Sequence, residues 1–179
     1  MVISITPLFQ EVDELMFQSQ AYEGQPEERY TLLLRQLEAL IDGEPGRIAN
    51  LANASALLGQ FLDRINWVGF YLLDEEGDLV LGPFQGLPAC TRIPVGKGVC
   101  GSAVQQARTL RVDDVHQFPG HIACDAASRS EIVIPLYQDG AIVGVLDIDS
   151  PVEARFEPAD QTYLEQFCQV LMKDASSWR

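Results

Sequence analysis

Near residue 66 the apolar residues change their spacing, from the helical period of about 3.6 to the strand period of 2. Upstream, Leu33, Leu34, Leu37, Leu40 and Ile41 recur at helical spacing between Glu27 and Asp42. Pro26 suits the first position of that helix, because its missing N–H is not needed there. DGEPG stops it, and RIANLANASALLGQFLDRI resumes a helical stripe through Ile48, Leu51, Ala52, Leu58 and Leu62. Downstream, WVGFYLL (67–73) and LVLGPFQG flank the turn DEEGD as a hairpin. RIPVGKGVCGSAVQQA passes from a short extended piece through a glycine-rich turn into a helix, and TLRVDDV is a short strand. EIVIPLY and AIVGVLDIDS are two further strands around the turn QDG, and EPADQTYLEQFCQVLMKDA closes as a helix. Short consecutive strands flanked by helices predict an α+β fold with an antiparallel sheet. Residues 26–179 read as one domain. Residues 1–25 read as an N-terminal extension, in which PLFQEVDELMFQSQ has an amphipathic helical pattern.

A chain of 179 residues is long enough for one substantial core. Its 12 lysines and arginines against 26 acidic residues give a formal charge of −14. That balance argues against a nucleic-acid or anionic-membrane surface, both of which need clustered positive charge, and favours a cationic or zwitterionic ligand. The start has no basic segment before its apolar stretch, and no apolar run approaches the roughly 18 residues that span a bilayer. The expectation is a cytoplasmic protein whose thiols stay reduced unless chemistry oxidises them. The four cysteines, Cys90, Cys100, Cys124 and Cys168, form no CxxC pair, and only His116 and His121 offer imidazole, so no metal site is expected by motif.

Strand parity then picks out candidates. Val143, Val145, Asp147 and Asp149 share one face, with Ile142, Leu146 and Ile148 on the other. Two carboxylates on one face are either a strand end emerging into water or a cation site. Glu131 falls on a face with Val133. Trp67, Gly69 and Tyr71 share a face, as core aromatics or as an aromatic wall with a hollow at Gly69. Cys168 lies among apolar residues of the closing helix and reads as packing. Cys100 sits near a helix start, where a thiol pKa is lowered, or is a small residue among glycines that only packs. Cys90 follows a strand in GLPAC, and Cys124 stands in GHIACDAASRSEIVIP beside Asp125 and near His121. Three cysteines in loops or at a helix mouth exceed what packing needs.

INWVGFYLL, LVLGPFQG, RIPVGKGVCGSAV, DVHQFPGHIACDAASRSEIVIPL and IVGVLDIDS together resemble the free methionine-(R)-sulfoxide reductases, single GAF-domain enzymes, over about two-thirds of the chain. The resemblance implies a GAF-like fold, a six-stranded antiparallel sheet with helices packed on one face and a loop-covered pocket on the other. It also implies free L-methionine (R)-sulfoxide as substrate, thioredoxin as reductant, no cofactor, and a homodimer as the candidate assembly. By motif position the attacking thiol falls on Cys124, the main resolving thiol on Cys90 and an auxiliary one on Cys100. Glu131, Asp147 and Asp149 would supply an ammonium clamp and a proton donor, Trp67 and Tyr71 the wall for the thioether end. Backbone N–H groups of the loop before Cys124 could hold the sulfoxide oxygen. The competing reading is a non-catalytic GAF sensor of small molecules.

Overall fold

The computed structural model describes residues 22–122 and 125–178. The amphipathic pattern in the extension, and Cys124 itself, lie outside the described residues. Helices α1 (Pro26–Ile41) and α2 (Arg47–Phe61) come first. Strands β1 (Trp67–Leu73), β2 (Asp78–Gly86) and β3 (Arg92–Pro94) follow, then α3 (Gly98–Gln106) and β4 (Leu110–Val112). Strands β5 (Ser130–Gln138) and β6 (Ala141–Ser150) and helix α4 (Pro158–Met172) complete the order. Both α1 and α4 open with proline, and in each an acidic side chain three residues past the cap accepts the cap N–H. Glu28 takes that of Gln25, and Asp160 that of Glu157.

Among the described residues the strands form one six-stranded antiparallel sheet in the order β3-β2-β1-β6-β5-β4. Alternation along the central strands divides the interior in two. Val68 and Phe70 of β1, Ile132, Ile134 and Leu136 of β5, and Leu146 and Ile148 of β6 pack against α1, α2 and α4. Trp67, Tyr71, Val133 and Val145 face the other way, with Leu79, Ile93 and Leu110, and α3 covers them through Val99, Cys100 and Ala103. Three helices therefore share one face of the sheet, as expected, and the short α3 lies on the pocket face.

Two details depart from the sequence reading. The buried arc of α2 runs through Leu51, Ala54, Leu58 and Phe61, so Ile48 falls outside it and is 74% exposed. Val143 packs on the helix side instead of beside Val145. The cause is a bulge: Leu136 pairs with Gly144 but Tyr137 with Ile142, so Val143 is an extra residue and parity slips there. At the sheet margin, β4 pairs only with Glu131, Ile132 and Val133. The outer edge of β5 from Ile134 onward carries Pro135 and borders a groove against Gln161, Glu165 and Cys168 of α4. Tyr137 is half exposed there, and its hydroxyl donates to the Ala107 carbonyl at 3.0 Å.

Candidate active site

Strand register assembles the site. Trp67 lies opposite Asp149, and Asp149 opposite Glu131, in one row across β1, β6 and β5. The next row sets Gly69 opposite Asp147, and Asp147 opposite Val133. All of these point to the face that α3 covers, so Cys100, in the first turn of α3, meets the acids from above. Its Sγ stands 3.9 Å from Glu131 Oε1. Cys100, Glu131 and Asp147 are buried at 3%, 6% and 6% exposure, and Asp149 is half-buried. The acids are not a strand end emerging into water, because α3, Leu87, Pro88 and Ala89 after β2, and His121, Ile122, Asp125 and Ser128 before β5 close over them.

The cavity so formed is lined by the aromatic pair Trp67 and Tyr71, the rim residues Leu87 and Ile122, and the acid cluster. Its empty volume, open mouth included, is about 510 Å³. Among the described residues that line it there is no lysine or arginine. Trp67 and Tyr71 stack with centroids 5.8 Å apart, and Trp67 stacks on Phe84 at 5.3 Å. The hollow expected at Gly69 is filled: a Cβ there would stand 2.3 Å from Phe84 Cβ and 2.8 Å from the Trp67 ring. Glycine is required so that the indole can lie flat against β2.

The aromatic residues do more than wall the cavity. Trp67 Nε1 donates to the Leu87 carbonyl at 3.1 Å, and the Tyr71 hydroxyl donates to the Cys90 carbonyl at 3.0 Å. Two sheet residues thus anchor the loop that carries Cys90, which is disulfide-bonded. Cys100 and Cys168 are free thiols. Cys168 is buried in the helix-side core.

Burial dominates the electrostatics. It pushes Glu131, Asp147 and Asp149 all above the usual carboxylate range. Glu131 and Asp149 are raised further by the charge of Asp147. Asp147 itself receives hydrogen bonds from Cys100, Glu131 and the Ile148 backbone, which favour its charged form, and it is raised only to about 6. Of the three carboxyls, Asp147 is therefore the least raised. The expected lowering of the Cys100 pKa by a helix start is reversed: burial raises it well above the ordinary value, and Asp147 and Glu131 add to the rise.

Sequence reasoning missed the support of this cluster. Asn66 Nδ2 donates to Asp125 at 2.8 Å and to Ser128 Oγ at 3.1 Å, and Ser128 in turn bonds the Asp149 carboxylate. Asp125 also takes the Ala127 N–H, an Asx turn that DAAS signals locally. His121, noted only as a neighbour of Cys124, lines the cavity, with Nε2 3.9 Å from Glu131 Oε2. Its backbone N–H, one of those expected to hold the sulfoxide oxygen, is engaged by the Phe118 carbonyl at 3.1 Å.

A single antiparallel sheet with a closed acidic pocket beneath its loops defines a GAF-domain protein, and the GAF domain model matches residues 52–172. The free methionine-R-sulfoxide reductase of Escherichia coli is 56% identical over 146 residues, covering 82% of this chain and 88% of that protein. The fRMsr of Staphylococcus aureus, solved in complex with substrate, superposes with a TM-score of 0.78 at 56% identity, covering 82% of this chain and 95% of that one. The free methionine-R-sulfoxide reductase from Neisseria meningitidis, also in complex with its substrate, gives a TM-score of 0.85 at 44% identity, covering 90% and 97%. The chain belongs to the free methionine-(R)-sulfoxide reductase family of GAF-domain proteins.

Proposed function

We propose that this chain reduces free L-methionine (R)-sulfoxide to L-methionine by thiol chemistry in the acidic pocket. The Cys124 thiolate attacks the sulfoxide sulfur while a carboxyl group protonates the sulfoxide oxygen. The oxygen passes to Cys124 as a sulfenic acid, the methionine sulfur keeps the electron pair, and Cys124 is oxidised by two electrons. The Cys90 thiol condenses with the sulfenic acid, releasing water and forming a disulfide. A dithiol protein of the thioredoxin class, in the reducing cytoplasm, returns both thiols by exchange. Cys100 is an auxiliary partner in that recycling.

The observation that carries the reading is a pocket of four carboxyls, Asp125, Glu131, Asp147 and Asp149, facing stacked aromatics, with no lysine or arginine among its described lining residues. Asp147, less raised than Glu131 and Asp149, pairs as an anion with the substrate ammonium. Glu131 and Asp149 carry the protons that the sulfoxide oxygen needs. Trp67 and Tyr71 wall the thioether end. Cys90 follows the lining residue Ala89, is anchored through its carbonyl by Tyr71 and is disulfide-bonded, which supports a resolving role. An acylated or peptide-bound methionine sulfoxide has no ammonium, so it would leave buried charge unpaired, at a loss of several kcal/mol.

The test is NADPH consumption with thioredoxin, thioredoxin reductase and either free or N-acetylated methionine sulfoxide. Turnover of the free amino acid and rejection of the acetylated one is the expected result. Binding without turnover would make the protein a sensor. Cys124→Ser should abolish reduction and leave the far-UV circular dichroism unchanged; retained turnover would remove Cys124 from the mechanism.

A further inference from the structure

We propose that the pocket floor is also a site for one thiophilic divalent cation of the Zn²⁺ or Cd²⁺ class, held by the Cys100 thiolate and the Glu131 and Asp147 carboxylates. One ligand atom from each of these side chains lies within 4.8 Å of the other two. The Cys100 Sγ to Glu131 Oε1 separation is 3.9 Å. A tetrahedral zinc ion with ordinary bond lengths asks for sulfur–oxygen separations of about 3.6 Å and oxygen–oxygen separations of about 3.4 Å. Small rotations about the carboxyl side chains supply the remaining contraction.

A second observation points to a ligand independently of this spacing. Asp147 Oδ1 is buried and accepts no hydrogen bond. A buried carboxylate oxygen without a donor is costly, and a cation at the floor satisfies it. The three ligands come from α3, β5 and β6, and β5–β6 pairing fixes Glu131 opposite Asp149 and Val133 opposite Asp147. The chelate is therefore held in place before any ion arrives. Coordination exchanges the thiol and carboxyl protons for the ion. A thiolate among the ligands selects zinc or cadmium over magnesium or calcium, which prefer oxygen alone. The fourth position falls to water, since His121, with Nε2 3.9 Å from Glu131 Oε2, stands outside the three-residue group. On the reading given under Proposed function, the ion takes the place of the substrate ammonium, so metal and methionine sulfoxide exclude each other.

The test uses the full chain with its Cys90 disulfide intact; among the described residues Cys100 and Cys168 are free thiols. Cd²⁺ is titrated in the absence of substrate, following sulfur-to-cadmium charge-transfer absorption in the near ultraviolet and stoichiometry by calorimetry. The expected result is one equivalent bound with a thiolate band. The band should vanish in Cys100→Ser, persist in Cys168→Ser, and need at least tenfold more metal in Asp147→Asn, each checked for folding by circular dichroism. No band at one equivalent, or a band that survives Cys100→Ser, overturns the site. Free methionine sulfoxide is then added to the metal-loaded protein. Displacement supports both assignments. A Cys100-bound metal that substrate fails to displace upholds the metal site and counts against the ammonium position at Asp147.

Discussion

A carboxyl packed between a thiol and two other carboxyls weakens the protein that holds it. Glu131, Asp147 and Asp149 have folded-state pKa values raised by burial. For such groups the native state is favoured below the unfolded value, near 4, and loses that advantage as pH rises through the folded value. Asp147 reaches about 6, so unfolding free energy should fall from about pH 4 through 6 and beyond. Glu131→Gln keeps the shape and removes the ionisable group, so folding no longer has to take up a proton there. We expect kcat/KM to drop at least tenfold, about 1.4 kcal/mol, while stability at pH 8 rises by about 1 kcal/mol. Urea titrations at pH 5 and pH 8 measure the second effect, and a Gln variant less stable than its parent at pH 8 would show that Glu131 is not strained. Asp149→Asn should lose activity to the same extent. Alternation marked these acids as sharing a face. It could not tell solvated from buried, because that depends on α3 and two loops folding over them. The same limit applied to Cys100, whose helix-start position pointed to a lowered pKa until its burial, and then its acidic neighbours, were known.

The elements were legible where pattern and turn chemistry agreed. The WVGFYLL strand, the proline-opened helices and the closing helix stand where their periods placed them. The bulge at Val143 and the phase of α2 were not legible, since each is decided by what packs across from it. Nor could a strand's own sequence show that Trp67 and Tyr71 reach over to hold the segment between β2 and β3. That attachment has a kinetic consequence. Tyr71→Phe removes one hydrogen bond, worth about 1 kcal/mol, and frees the Cys90 segment. Single-turnover methionine formation should be nearly unchanged, whereas disulfide formation should slow several-fold, as followed by rapid quench and thiol trapping. Cys90→Ser is the limiting case: about one methionine per chain, then a stall with thioredoxin. A Cys90 variant that cycles at full rate would move the resolving role to Cys100.

Across the whole molecule, one buried arginine joins segments far apart in sequence. Arg155 is 8% exposed and bonds the Asp63 carboxylate at 2.7 Å, the Asp63 carbonyl at 2.9 Å and Asp160 at 3.2 Å. Asp160 also accepts from the Tyr30 hydroxyl at 2.6 Å. The segment after α2 and the first turn of α4 meet at this side chain, and the N-terminal part of α1 joins them through Asp160. Arg155→Ala leaves Asp160 partly buried without its cation and should lower stability by about 3 kcal/mol. A thermal melt checks this, and KM should stay near the parent value because the arginine lies behind the sheet. Only the Arg155–Asp160 pair, five residues apart, falls within VEARFEPAD; the Arg155–Asp63 and Tyr30–Asp160 contacts span 92 and 130 residues and were not readable there. Among the described residues no helix is long and apolar enough to cross a membrane.

The shortness of β4 has an outcome for crowded solutions. It leaves the later residues of β5 as an open edge, the kind of strand that recruits a neighbouring molecule's backbone into a growing ribbon. Pro135 withholds a donor at that edge, and the Tyr137 hydroxyl ties the strand to the end of α3, so a docking strand meets a broken ladder. Pro135→Val would mend that ladder. Light scattering at millimolar protein should then show lateral association that the parent chain resists, with little change in turnover at nanomolar enzyme.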